Sequence, residues 1–192
     1  MKYSRPLRIL HIFLALTITY QLIVSLFMDS PRLHGGHTMT SGGGFLFASH
    51  EWVGLVAVGV LFIGWVYRFV NWKRENQARL FPWLSRAGAI TLASEVMNFI
   101  KFRWKNVPEN GALAGTIHGL GLLAATAMAL TGGILFIQLY PANLITPSTH
   151  LMMELHSFFS TFMWAYLYGH GLMALWHEFI GDKALSKMFR LA

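Results

Sequence analysis

Four long apolar runs, parted by polar segments, set out the chain: Ile9–Met28, Phe45–Val70, Ala112–Tyr140 and Leu151–Ile180. A helix needs about 20 mainly apolar residues to cross a hydrocarbon layer roughly 30 Å thick, so the pattern predicts four transmembrane helices. The first run follows Lys2, Arg5 and Arg8 and is longer than the apolar core of a signal peptide. Met28-Asp29-Ser30-Pro31 also lacks a small-residue cleavage site, so the run reads as a span. Asp29–Gly44 is a loop of Gly, Ser and Pro, and Pro141–His150 is a loop without Lys or Arg. Asn71–Gly111 is the longest polar segment. Inside it, Leu84–Phe102 places Ile90, Leu92, Val96 and Ile100 at helical spacing, which suits a helix on the membrane surface or a solvated linker. With no internal repeat, residues 1–192 read as one membrane domain with a basic segment at 71–111.

Charge orients these elements. With both termini inside, Arg32 is the only one of 15 Lys and Arg residues placed outside. Positive charge collects on the cytoplasmic side of membrane proteins, so the expectation is an all-α, four-helix bundle in a bacterial cytoplasmic (inner) membrane, both termini cytoplasmic. The net charge of +7 is then topological, and nucleic-acid binding loses its support. Composition agrees, with 55% hydrophobic and 12% charged residues. The absence of cysteine excludes disulfides, thiolate-bound iron–sulfur clusters and covalently attached haem c within the chain.

Histidine is the polar residue that recurs inside the apolar runs, and a titratable group there calls for a partner or a ligand. The fourth run carries His156, His170 and His177. From His156 to His170 is 14 residues, which puts both rings within about 40° of one helix face and ~21 Å apart. Measured from the outer helix ends, His50 lies five residues beyond Phe45 and His156 five beyond Leu151. His11 lies 18 residues before Asp29 and His170 19 beyond Leu151. Two level pairs result, His50 with His156 and His11 with His170, at depths of ~7–8 Å and ~27–28 Å. Measured from the inner ends, His177 or His118 competes for the deeper level. A lone membrane histidine ordinarily makes a helix–helix hydrogen bond, but four in level pairs suit two stacked metal centres in the bundle core. Bis-imidazole ligation holds haem b without a covalent link. Phe13, Phe158, Phe159, Trp164, Gly54, Gly132 and Gly133 suit a flat macrocycle between helices. Zinc fits less well, because only His118 offers a third ligand.

One histidine early in the first helix, one early in the second, and His156-x13-His170-x6-His177 in the fourth resemble the bacterial cytochrome b561 and nickel-hydrogenase b-subunit family. The closing stretch from His177 to Lys183, HEFIGDK, is similar too, and the likeness covers all four spans. The resemblance implies two b haems between four helices, axial ligands His50 with His156 and His11 with His170, and electron exchange with quinone or a redox partner protein. It also suggests His177 as a proton partner for a quinone beside the inner haem.

The remaining candidates are weaker. His118 is a candidate for quinone or haem-pocket contact. Glu51 and Glu154 flank the outer histidines, Arg5, Arg8, Arg68 and Arg86 are candidates for haem propionates, and His34, His37 and His150 are candidate metal ligands in outer loops. Two other functions compete with an electron conduit between the quinone pool and a partner. One is a self-contained oxidoreductase for superoxide or another small substrate, although a lone outer Arg32 steers an anion poorly. The other is a haem-free structural or assembly subunit.

Overall fold

Helix boundaries follow from a few local signals. In the computed structural model, which describes residues 4–29, 40–71, 80–103, 106–108, 110–140, 145–179, 181 and 184–189, every regular element is helical. Helix α1 spans Arg5–Val24, α2 Ser41–Val70, α3 Arg86–Ile100, α4 Ala112–Leu139, α5 Pro147–Phe179 and α6 Ala184–Phe189, with a 3-10 turn at Pro82–Leu84.

Helix α1 begins four residues before the apolar run and ends four before Met28. Pro6 in its first turn has a backbone angle already suited to a helix and no N–H to leave unsatisfied. At the other end the chain is drawn toward α2. Asp29 N–H donates to the Gly43 carbonyl (3.2 Å), and its carboxylate accepts from Thr40 N–H (2.9 Å) and hydroxyl (2.7 Å). Thr40 in turn caps α2, its Oγ1 accepting Gly43 N–H at 3.0 Å. That cap explains why α2 starts at Ser41 and runs through three glycines that would not nucleate a helix alone. Helix α5 starts the same way, with Pro147 at its first position and Thr146 Oγ1 accepting Thr149 N–H at 3.2 Å.

Among the described residues three helices, α1, α2 and α4, are long and apolar enough to cross a membrane by length and composition. The expected fourth span, α5, is the longest helix at 33 residues, yet it does not join that group. Its apolar stretch is interrupted by Glu154, His156, His170, His177 and Glu178, which lower its mean hydropathy.

The described residues divide into two compact units, 4–64 with 124–192, and 65–123. In the first unit, contacts join four helices. Tyr20 donates to Ser49 Oγ (2.9 Å) between α1 and α2, and Trp52 meets Phe136 (ring centroids 6.0 Å apart) between α2 and α4. Few large side chains are buried; Leu7, Leu22, Leu61 and Met163 are among them, while Phe45, Phe62, Leu130 and Ile137 face outward. Apolar residues all around a helix are stable where the solvent is lipid. In the second unit, Glu95 on α3 accepts Leu113 N–H at 2.7 Å, satisfying an otherwise unpaired donor in the first turn of α4.

Candidate functional site

The 4–64/124–192 unit brings four histidines together as two ring pairs. His11 on α1 and His170 on α5 have ring centroids 6.2 Å apart with planes at 66°. His50 on α2 and His156 on α5 have centroids 6.3 Å apart with planes at 87°. His50 is nine residues beyond the start of α2 and His156 nine beyond the start of α5, so equal helix lengths carry the two rings to one level.

That spacing has a chemical meaning. Metal–imidazole bonds are about 2.0–2.1 Å and a ring centroid lies about 1.2 Å behind its nitrogen, so rings on opposite sides of one metal ion have centroids about 6.4 Å apart. Each pair offers two donors only. Among the described residues no cluster of three or more His, Cys, Asp or Glu surrounds either pair. Two axial nitrogens are too few for a zinc site but complete for a metal whose other four ligands come from a macrocycle.

The surroundings of His156 decide which nitrogen it presents. Thr131 on α4 is buried and sits 2.9 Å from His156 Nδ1. Its hydroxyl donates to the Ala127 carbonyl at 2.8 Å, one turn back. With that proton used, Thr131 Oγ1 accepts, His156 Nδ1–H donates, and Nε2 keeps its lone pair for a metal. The next residue makes room for the ring. A side chain on Gly132 would put its Cβ 3.1 Å from His156 Cε1. His50 is held through its backbone, because Gln21 Nε2 on α1 donates to the His50 carbonyl at 2.7 Å. Gly54 leaves the space Gln21 occupies, since a Cβ there would come within 2.8 Å of Gln21 Nε2. His50 Nδ1 is buried and makes no hydrogen bond among the described residues. At the other pair, the Tyr166 ring stacks on His170, one turn ahead of it, with centroids 5.1 Å apart and planes 7° from parallel.

The other candidates fall as follows. His177 is half-buried, seven residues past His170 on α5. His118 belongs to the 65–123 unit, where its Nδ1 donates to the Ala114 carbonyl at 2.7 Å. Glu51 is half-buried, Glu154 is exposed, and His150 Nε2 lies 3.8 Å from Glu154. Arg5 and Arg86 are exposed, while Arg8 and Arg68 are half-buried. His34 and His37 lie outside the described residues. Of the residues expected to line a macrocycle, Gly132 and Gly54 make close approaches, but Phe13 and Phe158 are more than half exposed and turn outward. The sequence pattern does not single out Thr131 as a hydrogen-bond partner, Gln21 or Tyr166. Their signal was present for two of them, as lone polar side chains inside apolar spans, which need partners as much as histidines do.

The family model for prokaryotic cytochrome b561 matches residues 2–191. The chain belongs to the prokaryotic cytochrome b561 family. No curated protein and no solved structure matches it. Cytochromes b561 are membrane-integral b-type cytochromes of electron transfer that bind b-type haem and interact with quinone or other redox proteins. The ring pairs fit that group in donor type, number and spacing.

Proposed function

We propose that this cytochrome holds two haems b and passes electrons between membrane quinone and a redox partner protein. The observation that carries it is the pair of histidine pairs, with centroids 6.2 and 6.3 Å apart, in a cysteine-free chain of the b561 family. His50 with His156 would hold one haem and His11 with His170 the other. A bound b haem takes up and releases one electron at its iron. Thr131 keeps His156 in the tautomer that presents Nε2, and Gly132 lets that ring lie against α4. About 21 Å of α5 separates His156 from His170, so the two centres lie at two depths of one helix.

Four spans follow, with α5 as the fourth and both termini cytoplasmic. Two of the polar residues that lower the hydropathy of α5 are turned to other helices: His156 toward α2 and α4, and His170 toward α1. A side chain directed at another helix costs little in lipid. On this orientation His11–His170 is the cytoplasmic pair, and His177 lies about 10 Å further along α5. An imidazole at that place can donate and accept the protons that quinone chemistry requires.

Anaerobic mixing of the haem-loaded protein with quinol tests the function. Rapid reduction of both centres is expected, slowed in His177→Ala with both haems retained. No reduction by quinol in the intact protein would remove quinone from the proposal, and unchanged rates in His177→Ala would remove the cytoplasmic site.

A further inference from the structure

Helix α3 divides into three faces. At about 100° per residue, Ile90, Ala93, Met97 and Ile100 lie within about 80° of arc. All four are exposed, Ile90 at 63%, Met97 at 50% and Ile100 at 62%. A second exposed sector, beside the first, holds Thr91 and Ser94. Glu95, 5% exposed, lies diametrically opposite the apolar stripe. The pattern is therefore apolar outward, polar to one side and anchored behind.

Two contacts fix where this helix runs. A Cβ on Gly119 of α4 would collide with the Leu80 carbonyl and lie 3.2 Å from Trp83 Cη2, so the segment leading into α3 lies against α4 at residue 119. Further on, Glu95 meets Leu113 N–H at the start of α4. Helix α3 thus climbs back beside the first two turns of α4 over about 9 Å, its apolar stripe turned away from α4. Helix α4 has 28 residues. It is about 42 Å long against a hydrocarbon layer of roughly 30 Å, so these first turns stand at the boundary between headgroups and acyl chains.

Charge selects what lies there. Exposed Arg86 precedes the stripe, and exposed Lys101 and Arg103 follow it. Between residues 80 and 103 the only acidic residue is Glu95, whose carboxylate is already engaged with α4. We infer that α3 is an interfacial anchor: its Ile90–Ala93–Met97–Ile100 stripe lies in the acyl boundary, and Arg86, Lys101 and Arg103 take anionic lipid headgroups. Apolar burial combined with cationic flanks is the physical basis of such anchoring.

The absence of cysteine makes the test direct. Ile90→Cys, Met97→Cys, Ile100→Cys and, as a control, Ser94→Cys are made singly in the full chain. Each is spin-labelled and placed in phosphatidylglycerol/phosphatidylcholine bilayers, and only variants that keep the family's haem absorption are compared. Labels at 90, 97 and 100 are expected to collide more with oxygen than with a water-soluble nickel chelate, and the label at 94 the reverse. Nickel accessibility at 97 equal to that at 94 would overturn the anchor and give the face to an aqueous protein partner. For the headgroup half, Arg86→Gln, Lys101→Gln and Arg103→Gln combined should reduce the phosphatidylglycerol retained by the purified protein. Retention unchanged from wild type would show that these cations do not hold anionic lipid.

Discussion

The two histidine pairs share a spacing but differ in how their rings are held. His156 is fixed by a directional hydrogen bond to Thr131 and by the open space over Gly132. His170 is fixed by a parallel Tyr166 ring one turn away on the same helix. A hydrogen bond at Nδ1 sets tautomer and raises the basicity of the opposite nitrogen, whereas stacking sets the ring plane and leaves basicity nearly untouched. The Thr131 contact and the Tyr166 stack can therefore be probed separately, each at its own histidine pair.

The largest effect expected is loss of one centre at a time. His50→Ala and His156→Ala should each remove the same haem, and His11→Ala and His170→Ala the other, which redox titration of each single variant will reveal. If His177→Ala emptied the second centre while His170→Ala spared it, the pairing of His170 with His11 would be wrong.

A smaller effect belongs to Thr131. Thr131→Val keeps the shape of the side chain but removes the acceptor for His156 Nδ1–H. A less basic ligand stabilises ferric iron less, so the midpoint of the His50–His156 centre should rise. One neutral hydrogen bond corresponds to a shift on the order of 20–60 mV for a single electron. Thr131→Ser should restore most of it, and the His11–His170 centre should not move. Equal shifts in both centres would point to a general loosening instead.

The smallest effect is at Tyr166. Tyr166→Phe keeps the stack and should be silent. Tyr166→Leu should alter the low-spin ferric EPR signal of the His11–His170 centre alone, because that signal follows the relative orientation of the two imidazole planes. Its midpoint should change less than in Thr131→Val. An unchanged signal would mean that the helices orient His170 without help from Tyr166.

The level pairing of the candidate site's histidines was legible because helices convert residue counts into depth. Five residues from Phe45 to His50 and five from Leu151 to His156 already set two histidines level, and the structure puts their rings 6.3 Å apart. The Thr131–His156 contact was not legible, since residues 25 apart meet only where α4 and α5 cross. Helix ends depart from the apolar runs where a side chain, not hydropathy, sets them. Asp29 and Thr40 end α1 early and start α2 early, and Pro6 starts α1 among basic residues. Outward-facing Phe13 and Phe158 show the limit of composition, because an aromatic ring suits lipid as well as it suits a cofactor pocket. Leu84–Phe102 was legible as a helix in outline, but its amphipathic sense depended on Glu95, whose capping of Leu113 no local pattern reveals.

The most direct measurement is haem content. In protein produced with haem in excess and purified from membranes, a pyridine haemochrome assay against protein concentration should give two haems b per chain, falling to one in His156→Ala. A ratio of one or zero in the intact protein would contradict the assignment of both histidine pairs as haem ligands.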